Sequence, residues 1–284
     1  METILIPTDF SPHSLHAMKF AVRMLANATD VKLIFFHATE THIHPRVPTN
    51  LYKDALQFDL SSNWERLKEF TQRMLTHLGM EKPPFEIDWV VKHGEFLRNV
   101  LDTIDEQKVD LVVIGKSTTT GLGRFFYGSE SAELLEKSPC AVLMYPAKSK
   151  KRTLAKISLA SVTLELDSFF EDLVTFARIS NAKIDIFHIH DAVTHVADFD
   201  TDGFLKRLQA KYKYEHIYLS FLAAGSDDTA DNIEAYIATA QPDVMCVASY
   251  ERPWYEKIFN SSITKTLAFE ADIPLLVLKR TNTA

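Results

Sequence analysis

Cysteine is scarce in this chain of 284 residues, with only Cys140 and Cys246 present. A disulfide framework is therefore excluded as the source of stability. Two thiols expected inside strands fit a reducing compartment. Long apolar runs are missing as well. None approaches the roughly 20 residues of a membrane-spanning helix, so no membrane partner is expected. Basic residues are not in excess: 31 Lys and Arg stand against 38 Asp and Glu, a net charge of -7. That balance argues against nucleic acid as the main partner, which calls for a basic face or stripe. Lys148, Lys150, Lys151 and Arg152 form a short basic cluster that reads as a linker. The opening Met-Glu-Thr-Ile-Leu-Ile-Pro-Thr-Asp has neither the basic nor the apolar region of a signal peptide. The expected location is the cytoplasm.

Catalytic signatures are absent too. The chain has no G-x-S-x-G elbow, no H-E-x-x-H and no G-x4-G-K-[ST] loop. It is expected not to be an enzyme, although a slow hydrolytic activity is compatible with it. Histidines number 11. His42 and His44 fall in a loop, and His188, His190 and His195 lie at or near a strand end. Residues two apart on a strand share a face, but no Cys or carboxylate completes a metal set, so no metal is expected. His37 and His188 close equivalent strands and suit a structural hydrogen-bond role.

What the chain does have is a glycine-rich loop in a telling place. An apolar strand, Val109 to Ile114, is followed by Gly115-Lys-Ser-Thr-Thr-Thr-Gly-Leu-Gly-Arg-Phe-Phe-Tyr-Gly-Ser129. The helix then opens at Gly128, Ser129 and Glu130. Glycines let a backbone approach phosphate closely, and the N–H groups and positive dipole end of the helix hold the anion.

Periodicity gives strands alternating with helices, the pattern of a parallel sheet. The first pass predicts strands at 4–7, 31–37, 85–91, 109–114 and 141–145, and helices at 11–28, 54–78, 95–107 and 129–137. The order then returns. Phe187-His188 repeats Phe36-His37, Asp243 to Val247 repeats Asp110 to Ile114, and Ile273-Pro274-Leu-Leu-Val-Leu repeats Ser138-Pro139-Cys-Ala-Val-Leu. The chain is a duplication: a domain over 1–146, a linker over 147–152 and a second domain over 153–284. Each is expected to be a Rossmann-like α/β domain with a five-stranded parallel sheet and helices on both faces. Ligands of such sheets bind past the strand carboxyl ends where the strand order switches. Asp9, Ala38 and the Gly115 loop all fall there. The helix over 54–78 carries Leu56, Leu60, Trp64, Leu67, Phe70 and Leu75 and is expected to lie on its sheet.

Ile4 to Ser11, the strand ending at His37-Ala38, the Gly115–Ser129 loop and the closing Ser138 to Pro146 together resemble the universal stress protein family, strongly over 1–146 and weakly over 153–280. The loop resembles that family's ATP-binding pattern, G-x2-G-x9-G-(S/T). The resemblance implies strand order 3-2-1-4-5, the adenine nucleotide alpha hydrolase-like arrangement, in each half. It also implies an adenine nucleotide such as ATP, with Mg²⁺ compatible on its phosphates. Pro7, Thr8 and Asp9 would then meet the adenine or ribose, and Ala38 would offer backbone groups to the base. Gly115 would admit the ribose. Thr118, Gly128, Ser129 and Glu130 would line the phosphate end.

Thr118 departs from the pattern, which has glycine there. A β-branched residue at positive φ costs about 1–2 kcal/mol, and Lys116, Arg124 and the hydroxyls of Thr118, Thr119 and Thr120 are the groups that could compensate. The second half departs further. Val162 replaces Asp9 and Ala248 replaces Gly115. Its loop has no glycine, carries Glu251 and Glu256, and keeps only Ser261 and Ser262 at the helix start. No nucleotide is expected there in the family manner, and Trp254, Tyr255 and Phe259 read as packing residues. In the family, single domains dimerise through the last strand, so the two halves could pair as an internal pseudo-dimer, and association of two chains is left open. The family reading is a stress-response nucleotide sensor or regulator. The alternative is a nucleotide-free interaction scaffold of the same fold.

Overall fold

The computed structural model describes residues 1–40, 48–116, 128–161, 166, 169–190, 199–223, 229–249 and 272–279. The chain divides into two compact units, Met1–Ala147 and Lys148–Ala284. Among the described residues no helix is long and apolar enough to cross a membrane.

The first unit runs β1 (Thr3–Pro7), α1 (Pro12–Met24), β2 (Lys32–Thr39), α2 (Thr49–His77), β3 (Glu86–His93), α3 (Phe96–Gln107), β4 (Leu111–Lys116), α4 (Gly128–Lys137) and β5 (Ala141–Pro146). Its strands pair in parallel in the order β3-β2-β1-β4-β5. Ile4, Leu5, Ile6, Leu33, Ile34, Phe35 and Phe36 are fully buried. Central strands covered on both faces need such continuous apolar runs, as parallel sheets generally do. Right-handed crossovers place α1 and α2 on one face and α3 and α4 on the other. Accordingly α1 packs on β4 and β5, α2 on β2 and β3, and α3 on β1 and β2 beside α4.

The helix ends differ from the sequence expectation. α1 stops at Met24 rather than residue 28, because the N–H groups that follow bond three residues back instead of four, Ala26 to the Arg23 carbonyl and Ala28 to that of Leu25. α2 begins at Thr49, one turn before the expected Asp54, and reaches 29 residues. Only its later part lies on the sheet. Leu67, Thr71, Met74 and Leu75 are buried, and the Trp64 indole N–H donates to the Trp89 carbonyl at 3.2 Å. Earlier on the helix, Leu51 and Phe58 are 54% and 74% exposed. Cys140 precedes β5 and is half-buried, so the expectation of a strand cysteine holds only for the buried Cys246.

The second unit runs β6 (Lys156–Ser161), α5 (Phe169–Arg178), β7 (Lys183–His190), α6 (Thr201–Tyr212), β8 (Ile217–Ala223), α7 (Thr229–Ala240), β9 (Val244–Ser249) and β10 (Leu275–Lys279). Its parallel order, β8-β7-β6-β9-β10, is the same topology. Lys151, read from sequence as linker, is tied into this unit by a 3.3 Å ion pair with Asp243.

Candidate functional site

The ladder between β1 and β2 ends at Pro7 opposite Phe36. One further rung follows, with the Thr8 N–H donating to the Phe36 carbonyl at 2.8 Å. Thr8 is buried, its hydroxyl 2.8 Å from the Ser14 hydroxyl. The same oxygen accepts the Phe10 N–H at 3.0 Å. Asp9 Oδ1 accepts the Ser11 N–H at 3.0 Å, and Ser11 Oγ accepts the Ser14 N–H at 3.2 Å, which caps α1. The spacing Asp-x-Ser-x-x-Ser is thus a turn followed by a cap. Ser14 was not singled out from sequence, although a serine three residues after a cap position is the available signal.

Phe10 holds the turn in place. Its φ is 62°, in the left-handed region, which costs a residue with a side chain about 1–2 kcal/mol. Ring contacts offset that cost. Phe10 lies 4.5 Å from the His37 ring and meets Phe70 edge-on at 5.3 Å. The Arg66 guanidinium stacks over it at 4.1 Å. His37 is also buried, with Nδ1 2.8 Å from the Thr8 carbonyl. A carbonyl can only accept, so Nδ1 carries the proton and Nε2 is bare. Burial lowers the His37 pKa and the Arg66 charge acts in the same sense, while the Thr8 hydrogen bond, Asp9 and Asp59 oppose them. His37 has the structural role expected of it. Its equivalent His188 is half-buried and meets Phe221 edge-on.

Strand alternation decides where Ala38 points. Lys32 and Phe36 turn their backbone groups toward β1, through Lys32 N–H to Glu2 O and Phe36 O to Thr8 N–H. Thr39 turns the other way, its carbonyl accepting the Gly94 N–H at 2.9 Å. Ala38 has the parity of Phe36, so its N–H and C=O face the side of β1 just past that strand's last rung. Its side chain stands on the α3 face, as does its register partner Lys92, whose ammonium pairs with Glu106 of α3 at 2.7 Å. On the opposite face Thr39 donates to Asp59 of α2 at 2.7 Å.

Gly115 lies within β4 opposite Tyr145. A Cβ there would meet the His13 carbonyl oxygen at 2.5 Å, its carbon at 2.8 Å and Ser14 Cα at 3.0 Å. The missing side chain therefore makes room for the first turn of α1, a reason that the sequence did not disclose. Lys116 is buried at the end of β4. Gly128, Ser129 and Glu130 form the first turn of α4. Thr118, Gly121 and Arg124 lie outside the described residues, as do His42, His44, Val162, His195, the Trp254 loop and Ser261 and Ser262. Among the described residues no group of three His, Cys, Asp or Glu is placed to hold a metal ion.

Asp9, the Ala38 backbone and the α4 start all lie at strand carboxyl ends of a doubly wound parallel sheet, the position at which α/β folds of this class take ligands. The chain belongs to the universal stress protein family, whose profile matches residues 1–146. It is similar to a universal stress protein of Methanocaldococcus jannaschii, 25% identical over 154 residues that cover 52% of this chain and 84% of that protein. It is also similar to one of Thermus aquaticus, 27% identical over 143 residues that cover 50% of this chain and 97% of that protein. The crystal structure of a universal stress protein from Archaeoglobus fulgidus shares the fold, with a TM-score of 0.68 at 13% identity over 98% of both chains.

Proposed function

We propose that the first unit binds an adenine nucleotide, ATP in the simplest case, at the carboxyl ends of β1, β2 and β4. The outward-facing N–H and C=O of Ala38 carry this reading. A donor and an acceptor on one residue match the acceptor and donor on the adenine edge. Asp9, braced by the Ser11 N–H, would take the ribose or base beside Pro7 and Thr8. Gly115 contributes by drawing α1 close beneath them. The first turn of α4, at Gly128, Ser129 and Glu130, offers N–H groups to phosphate, with Mg²⁺ carried on the phosphates if present.

In this reading the second unit does not take a nucleotide in the same way, since Val162 and Ala248 stand where Asp9 and Gly115 would be. The protein then acts as a cytoplasmic sensor or regulator rather than an enzyme. Occupancy of one unit shifts the conformations offered to a partner. The test is to denature freshly purified protein and identify released nucleotide by mass spectrometry, followed by thermal shift with Mg-ATP. About one adenine nucleotide per chain is the expected result, with Gly128→Val weakening binding. No released nucleotide and no shift would favour a nucleotide-free interaction scaffold.

A further inference from the structure

Two buried side-chain polar atoms among the described residues lack a protein partner, His93 Nε2 and Asn99 Nδ2. Both residues flank Gly94, which turns the chain from β3 into α3 at φ 114°. Gly94 is itself tied to the end of β2 by its N–H to the Thr39 carbonyl at 2.9 Å. The two orphans lie on opposite faces of the sheet. His93 has the parity of Trp89, whose indole N–H donates to Thr71 of α2, so its side chain is on the α2 face. Asn99 belongs to α3, on the face that also carries the Ala38 side chain.

Asn99 is the more informative of the two. Asn99 is half-buried, on the side of α3 that also carries the buried Phe96 and Thr103, and side chains on a helix lean toward its N-terminus. Its amide nitrogen is 3.6 Å from where a Gly94 Cβ would stand. The amide is therefore directed at the rim where β2 ends. A buried donor left without a partner is destabilising, and an apolar residue in that place would avoid the cost. Just there, Ala38 has only a methyl group on the α3 face.

We propose that the Asn99 carboxamide donates a hydrogen bond to the base of the bound nucleotide, at a ring acceptor beside the edge that meets Ala38. This rests on the nucleotide reading of the first unit and adds a specificity-determining side chain to it. Asn99 carries part of the discrimination between a base with an acceptor in that place and one without.

The test measures ATP affinity by calorimetry and apo-protein Tm for the wild type, Asn99→Ala and Asn99→Leu. The leucine variant keeps the volume while removing the donor. The expected result is an affinity loss of about tenfold in both variants, the scale of one hydrogen bond, with apo Tm unchanged or raised. Unchanged affinity overturns the inference, and so does an affinity loss accompanied by a lower apo Tm in both variants, which would make Asn99 structural. A wild type that binds no adenine nucleotide overturns the proposed function first. A wild type that binds, with both variants binding equally well, overturns only the role of Asn99.

Discussion

In the first unit Asp110 Oδ2 accepts the N–H groups of Glu2 and Thr3 at 2.6 and 3.0 Å. In the second, Asp243 Oδ2 accepts those of Ala155 and Lys156 at 2.9 and 3.0 Å. The bonds beside them match as well: Asp110 N–H to Thr3 O, and Asp243 N–H to Lys156 O. The amino-terminal edges of the two sheets are thus built alike. The middle of the sheets is not. Register places Leu5 and Ile34 of the first unit where Ser158 and Asp185 stand in the second. There Asp185 is buried, accepting from the Tyr236 hydroxyl at 2.6 Å and from Ser220 at 2.8 Å. Lys156 pairs with it at 3.2 Å, and Ser158 meets the Tyr236 hydroxyl at 2.8 Å. The duplication has kept the device that joins the opening strand to its neighbour, while the layer in the middle of the sheet has changed its chemistry. Repeated geometry at one edge reports what the fold requires, and divergence elsewhere is where the two units can differ in function.

The largest effect that would break this comparison comes from the polar layer. Asp185→Ala leaves the Tyr236 and Ser220 hydroxyls short of an acceptor and Lys156 without its carboxylate. Lys156 is 31% exposed at its side chain, so water recovers part of that charge. A loss of about 3 kcal/mol is expected, read by hydrogen exchange on peptides from β6 to β9. The first unit should keep its protection. If the second unit loses less than about 1 kcal/mol, the buried network is not what holds α7 to its sheet.

A smaller effect would sharpen the contrast between Gly115 and Ala248. Gly115→Ala drives a Cβ into the His13 carbonyl group, and backbone cannot rotate away as a side chain can. α1 must shift, at a cost of about 1–3 kcal/mol. Because Asp9 and Ser11 lead into that helix, nucleotide affinity should fall with stability. Chemical denaturation of the first unit and ATP titration together check this. Lower affinity with stability unchanged would return Gly115 to a purely ligand-facing role, and an alanine tolerated without loss of either would remove both roles.

Much of the fold was legible because its signals are local. Apolar runs such as Ile4–Ile6 and Leu33–Phe36 name strands wherever they fall, and the repeats of Phe-His and of a proline before the last strand disclosed the duplication. Asp9 and Ala38 were legible as strand-end residues through the switch-point rule. The reason for Gly115 was not, since it depends on α1 returning against β4. Nor was the Asp185 layer, which draws on β6, β7, β8 and α7. Asn99 escaped notice because a polar residue early in a helix ordinarily reads as solvated, and only burial shows its donor unpaired.

The smallest predicted effect concerns a single proton. Burial holds the His37 pKa below the ordinary value of 6.5 in the folded protein, while the unfolded chain has the ordinary value. Between the folded and ordinary values the unfolded state binds more protons, so stability is full above about pH 6.5 and declines as pH falls toward the folded pKa. The Thr8 hydrogen bond, Asp9 and Asp59 favour the proton and Arg66 opposes it, so the window is set by all four with burial leading. His37→Gln can keep a donor to the Thr8 carbonyl without titrating. Its stability should therefore decline less between pH 6.5 and the folded value than that of the wild type, followed by denaturation of the first unit across that range. Equal slopes for the wild type and His37→Gln would mean that the ring is not buried against proton uptake.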